Sequence, residues 1–434
     1  MRRLLLAGAA LAVLVAGAWW ASGSDEPPRP PQPSEASPSP SSSKTEEPPD
    51  PLTAASDLLT ERAQAVRDGD SAAFLSSIDP AAKRFRKQQH RIFRRVRTLR
   101  FETYDLDLQV SESDLARRKH RRRYKRAEDV FIARVEESYR FKRYDDADFV
   151  GDLFFTFVLR DGRWLIAADD DLRGRTTTAR NLWDFGPVKW TRSKNVIVIQ
   201  HPCRATACVE VGDSFLQLAE NARRRVMQRW RERWNGRVVV LVTSSRKELR
   251  QVIDVDFAIS NFVAFAYTPH RARGYSPARI VVDRETLNGR SSGIVEMVLT
   301  HELVHVATRR ASGPNIPLWV EEGLAEWVSR TAGDDADLYY SSQVASGAVR
   351  ARLPRDRDFR RGDAERLFLQ YQSSRTAVEY FIERFGYQQF VRFYKRLGDS
   401  HDEPGTRAEQ LGSAMRRITG LSMRRFERQW ADSI

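Results

Sequence analysis

Apolar and polar positions along this chain change their period several times, and each change marks an element. Residues 52–67 carry apolar positions at helical spacing, Asp68-Gly69-Asp70 interrupts them, and a second short helix runs on to Leu75 or Ile78. Tyr104, Leu106, Leu108 and Val110 then alternate with Asp105, Asp107 and Gln109, which predicts a half-buried strand. Residues 153–159 and 164–168 predict two strands joined by a tight Asp161-Gly162 hairpin. Farther on, residues 195–200 and 237–242 predict strands flanking a helix over 214–234, and 278–283 predicts another strand. In 291–310 the positions Ile294, Val295, Val298, Leu299, Val304 and Val306 suit a helix largely buried on one side, with Ser291 or Ser292 as its cap. Pro317 is placed to open the next helix, and residues 367–386 predict a later one.

These elements describe an α+β chain. Nearly four hundred folded residues are too many for one ordinary domain, and the pattern changes near residue 175, so two domains are expected, at 52–175 and 181–434. Ahead of them Arg2 and Arg3 precede an apolar run over residues 4–21. The run predicts a signal peptide or an uncleaved membrane anchor. Trp19 directly after Ala16-Gly17-Ala18 is an awkward start for a mature chain and favours the anchor; Trp19 and Trp20 would then sit at the outer interface. Either way the folded part is expected outside the cell membrane, single-pass or secreted. Residues 22–51 are rich in Pro, Ser, Glu and Asp, with almost nothing to bury, and predict a disordered linker.

The chemistry concentrates in His301-Glu302-Leu303-Val304-His305. HExxH on a helix sets two imidazoles one turn apart, where both can hold one zinc ion, and places Glu302 to take a proton from water activated there. With seven histidines in 434 residues, an accidental match is an event on the order of one per cent. A zinc site of this kind needs a third ligand. The next helix offers Glu321, Glu322 and Glu326. Glu321 points about 100° around the helix from Glu322 and reads as a solvated acid near the helix start.

Glu322-Gly323-Leu324-Ala325 resembles the second-helix run of the gluzincin peptidases, the group of thermolysin and the aminopeptidase N family. The resemblance is specific over residues 278–328. It implies that Glu322 is the third zinc ligand beside His301 and His305, and that Gly323 lets this helix approach the HExxH helix. Sixteen residues lie between His305 and Glu322, fewer than in the best-known members, so the connection must be tighter. Glu326, one turn on, is expected to orient a ligand histidine through its other ring nitrogen. The family's later helix supplies an oxyanion donor, for which Tyr371 is the candidate. The resemblance also makes the strand before the HExxH helix a sheet edge that pairs with extended substrate. The second domain is thus expected to be a peptidase domain with a small sheet and a mostly helical remainder. The first, helices followed by a curved antiparallel sheet ending in Gly162-Arg163-Trp164-Leu165-Ile166, resembles the nuclear transport factor-like cone fold.

Gly289-Arg290-Ser291-Ser292-Gly293 also matches the GxSxG elbow of serine hydrolases, but residues 284–288 intervene after the strand and the serines are natural helix caps. Two cysteines, Cys203 and Cys208, would close a small disulfide loop in an oxidising compartment. The net charge of +14 concentrates over residues 84–100 and 117–126. In an exported protein such a face suits anionic lipid headgroups or anionic cell-wall polymers, while nothing in the motifs predicts nucleic acid. The expectation is a zinc-dependent metallopeptidase acting on peptide or protein substrates. The alternative is a non-catalytic cell-envelope binding protein with a degenerate peptidase domain.

Overall fold

The computed structural model describes residues 50–434 apart from 174, 175, 177, 203–208, 254–262, 269–275, 331–334, 360–362 and 403. The expected apolar run at 4–21, the linker up to residue 49 and the Cys203–Cys208 pair lie outside the described residues. Among the described residues no helix is long and apolar enough to cross a membrane.

The fold is mixed α+β, built on two sheets. Three helices come first: α1 (Pro51–Asp68), α2 (Ser71–Ser76) and α3 (Lys83–Val96). Asp50 and Pro51, expected to close the linker, start α1 instead: the Asp50 carboxylate accepts from the Thr53 N–H at 3.0 Å, and Pro51 has no N–H to lose at that position. Gly69, at φ 70°, ends the helix in the left-handed conformation that glycine adopts without strain. In α3 the residues Phe85, Gln89, Phe93 and Val96 turn inward and Arg84, Arg91 and Arg94 form a basic outer face, while Arg86 and Arg95 reach backbone carbonyls of neighbouring segments.

β1 (Phe101–Leu108), α4 (Arg118–Arg123), β2 (Asp129–Phe141), β3 (Phe149–Arg160) and β4 (Arg163–Ala168) follow. The strands form a curled antiparallel sheet in the order β1-β2-β3-β4. The β3–β4 hairpin turns on Asp161 and Gly162, both at positive φ, as its two-residue loop requires. β2, the longest strand, is absent from the sequence reading because charges interrupt its apolar pattern. The structure accommodates them in pairs. Arg134 reaches Glu112 at 2.7 Å and Asp152 at 2.9 Å, while Glu137 accepts from Tyr104 Oη at 2.7 Å and Asn181 Nδ2 at 2.8 Å.

A cavity of about 50 Å³ lies under this sheet, and Arg62, Tyr104, Glu137 and Asp184 are among its walls. Asp184 belongs to α5 (Leu182–Phe185), and burial pushes its carboxyl up to about 7. Raised above its unfolded value, this group favours the folded state only while protonated. Stability is therefore expected to fall as pH rises from about 4 through 7. Asp184→Asn should have a higher melting temperature than the natural protein at pH 8 and an equal one near pH 4; parallel thermal melts read the difference, and pH-independent curves in both would refute it.

The second sheet takes β5 (Lys189–Arg192), β6 (Val196–Gln200), β7 (Val238–Thr243), β8 (Ala264–Tyr267) and β9 (Arg279–Asp283) in the order β5-β6-β7-β9-β8. β6, β7 and β9 are parallel and buried along their whole length, which is why their centres read as apolar runs, although β9 begins at Arg279 and ends at Asp283. β5 and β8 are antiparallel edges. The strand expected to be the substrate-pairing edge, residues 278–283, is therefore an interior strand; β8 covers it and holds the edge. Between β6 and β7 runs α6 (Val209–Arg229), which ends before Trp234 as the chain extends toward β7. α7 (Arg246–Ile253) follows β7.

The remainder is helical: α8 (Arg284–Leu287), α9 (Ser292–Thr308), α10 (Leu318–Ser329), α11 (Asp335–Ala345), α12 (Ala364–Phe385), α13 (Tyr387–Gly398), α14 (Arg407–Thr419) and α15 (Met423–Ala431). The single turn α8 separates β9 from Ser291, whose hydroxyl caps α9 by accepting from the Ile294 N–H at 3.4 Å. Ser291 is thus a cap and not a nucleophile at the end of a strand.

Contacts between the two sheet-centred halves gather on the β2–β3 hairpin. Asp145 forms a two-pronged ion pair with Arg279 of β9, with Asp145 Oδ2 to Arg279 Nη2 at 2.8 Å and both side chains fully buried. The rings of Tyr139, Phe141 and Phe149 surround that guanidinium at 5.8, 5.3 and 4.6 Å. Tyr144 donates to the Ser193 carbonyl at 2.7 Å.

Candidate metal centre

α9 presents His301, Glu302 and His305 to the interior, exposed by 0, 1 and 5 %. Polar side chains this deep in a helix with apolar flanks cost free energy unless something satisfies them. α10 supplies the complement. Pro317 stands just before its first residue, and Glu322 and Glu326, one turn apart, face α9.

His301 Nε2 lies 3.2 Å from Glu322 Oε2, and His305 Nε2 lies 3.5 Å from the same oxygen. His301, His305 and Glu322 each offer one atom, all within 4.8 Å of one another. Tetrahedral zinc with ligand bonds of 2.0–2.1 Å separates its ligand atoms by about 3.3 Å, so the two His–Glu separations bracket that spacing. His305 Nε2 and Glu322 Oε1 are buried without a hydrogen-bond partner, as ligand atoms awaiting an ion would be. Two imidazoles and a carboxylate are a donor set suited to zinc.

Behind this set Glu326 Oε1 stands 2.7 Å from His301 Nδ1, and its other oxygen pairs with Arg330 Nε. That contact fixes the ring and leaves Nε2 for the centre. Burial opposes ionisation of Glu326, but Arg330 and His301 outweigh it and hold the carboxyl at about 2. Burial likewise opposes a charged His301, yet Glu322 and Glu326 against its two nitrogens push it up to about 10. Glu322 is held below the usual carboxylate range by His305 and His301 in spite of its burial. The carboxylates thus demand positive charge at this place, from a proton or a metal ion.

Glu302 differs from these. Burial pushes its carboxyl up to about 8, His301 opposing and Glu322 adding to the shift, while the Ala266 backbone N–H of β8 donates to it. Its Oε2 is buried without a partner. Tyr371 of α12, 2 % exposed, sets its ring edge-on to His301 with centroids 5.9 Å apart.

Two expectations change. Glu321 is not solvated: it is 7 % exposed, and burial beside Glu322 pushes its carboxyl up to about 8. Gly323 faces α12 rather than α9. A Cβ there would stand 2.4 Å from the Ser374 carbonyl oxygen and 2.7 Å from Val378 Cγ2, so the missing side chain sets the approach of α10 to the helix that carries Tyr371. The sequence reading also missed β8 and Ala266, because four residues of Ala-Phe-Ala-Tyr carry no alternation, and Arg330, whose i+4 spacing from Glu326 was the available signal.

No family model matches this chain, and no curated protein matches it.

Proposed function

We propose that the protein is a zinc-dependent peptidase of the gluzincin type, exported and anchored by its N-terminal apolar run, with peptide or protein substrates. The observation that carries this reading is the buried His301–His305–Glu322 set with the half-partnered Glu302 carboxylate beside it. In this reading the helices and curled sheet of residues 50–168 form a cone-like module of the nuclear transport factor type, serving as a binding or spacer domain.

His301, His305 and Glu322 would hold the ion. A zinc ion bound there supplies Lewis acidity, which polarises a carbonyl and acidifies water. Glu302 does the proton work. Its free oxygen takes a proton as water adds hydroxide to the peptide carbonyl carbon, then delivers it to the nitrogen as the C–N bond breaks. The Glu326–Arg330 pair positions His301. Tyr371, beside His301, is the chain's own candidate for donating to the oxygen that gains charge.

β8 supports the same reading. Val263 and the odd-numbered positions bond toward β9, as the Asp283 N–H to Val263 carbonyl bond at 2.9 Å shows, and the Ala266 N–H turns the other way, to Glu302. Backbone groups of Ala264 and Ala266 therefore face outward along an edge that ends at the proposed base. An extended peptide added to β8 would bring its own amide bonds to Glu302.

The metal-free full-length chain, dialysed to equilibrium against zinc, should take up about one ion per chain. Glu322→Ala and His305→Ala should lose that uptake or weaken it sharply. A folded natural chain that takes up no zinc would end the peptidase reading and leave the non-catalytic binding protein in its place.

A further inference from the structure

A groove of about 500 Å³ opens where the β2–β3 hairpin meets the β5–β6 hairpin. Arg100, Lys142 and Arg143 come to it from the first half of the chain, and Arg192 and Lys194 from the second. No carboxylate lines it, and none of these five cations forms an ion pair among the described residues. Acids close by in the fold are engaged elsewhere: Glu220 by the Ser193 hydroxyl and by Arg223 Nε at 2.9 Å, Asp145 by Arg279, and Asp146 by Arg310 Nη2 at 2.9 Å. All five are exposed around the concavity, where no lining acid offsets their charge, and Arg192 lies over the Trp190 ring at 4.6 Å.

Two further features build the groove. The Tyr144 hydroxyl ties the front hairpin to the Ser193 carbonyl at 2.7 Å, which keeps the two sets of cations together. Arg143 sits at φ 78°, a left-handed conformation that an arginine adopts only under constraint. β5 is the opposite edge of the second sheet from β8, so the groove is separate from the metal centre.

We propose that this groove binds a compact phosphate-bearing polyanion between the two halves of the chain. Guanidinium forks match phosphate oxygens two at a time, and each phosphate offers up to three strong acceptors. The volume lies in the range of small-molecule sites. The phosphate belongs to a soluble ligand or to a lipid headgroup, and competition separates the two sources.

Calorimetric titration of the full-length chain with pyrophosphate tests the assignment. One pyrophosphate should bind per chain, more tightly than inorganic phosphate, and should raise the melting temperature. Arg192→Ala and Arg143→Gly should each weaken binding about tenfold, the loss of one charge-assisted contact. Arg143→Gly relieves the left-handed strain, so its melting temperature without ligand should not fall. Binding of phosphatidylglycerol vesicles that pyrophosphate competes away would support the site and name a headgroup as its source. Absence of saturable pyrophosphate binding, or equal binding by both variants, would overturn it. So would vesicle binding that pyrophosphate leaves untouched, which would make the ligand a membrane surface.

Discussion

On the proposed function, Glu302→Gln should still take up zinc and should lose peptide hydrolysis by on the order of a thousandfold, within the range for removal of a general base. Glutamine has the same shape and can still accept from the Ala266 N–H, but it cannot carry a proton from water to the leaving amine. It also removes a buried carboxyl that burial has already pushed up to about 8, so the variant should melt no lower than the natural protein. Zinc content, melting temperature and cleavage of a fluorogenic peptide pool, measured side by side, separate the possibilities. A variant that holds zinc and cleaves as fast as the natural chain would remove Glu302 from the chemistry and leave only a metal site. A variant that loses zinc would show that Glu302 helps hold the ion.

Asp145→Ala should destabilise the chain by about 3–5 kcal/mol, the usual effect of leaving one member of a buried ion pair alone. Arg279 is fully buried with three aromatic rings around it, and the substitution would take away the carboxylate that both of its terminal nitrogens meet. Urea denaturation of the single variants and of Asp145→Leu with Arg279→Met measures this. The double variant should recover most of the loss, since well-packed apolar side chains often replace a buried pair at little or no cost. A loss below about 1 kcal/mol in Asp145→Ala would mean that water reaches the guanidinium and that the pair behaves as a surface one.

What the sequence told and withheld follows from the range of each interaction. His301 and His305, or Glu322 and Glu326, sit four residues apart on one helix, so helical geometry alone places each pair on one face. The cap of α9, the breaker Gly69 and the Asp161-Gly162 turn are local in the same way. β2 escaped notice because Arg134 and Glu137 break its alternation, and their partners Asp152, Glu112, Tyr104 and Asn181 lie on other elements. Strand order is likewise a property of the whole sheet, which is how β9 could read as an edge while β8 covers it. Gly323 announced a close approach but not to which helix, and the buried Glu321 feels the charges of Arg407 and Asp356, far along the chain.

The Asp145–Arg279 contact spans 134 residues of sequence. A ribosome makes the chain from its N-terminus, so the hairpin that bears Asp145, with Tyr139, Phe141 and Phe149 around it, is complete long before Arg279 exists. In the complete chain the hairpin forms a socket with an acid at its base and aromatic walls, and Arg279 of β9 fills it. Domains fold in the order in which they emerge. A front half that closes first would offer β9 a ready seat, and the strand that leads to α9 would then be positioned by residues made 134 places earlier.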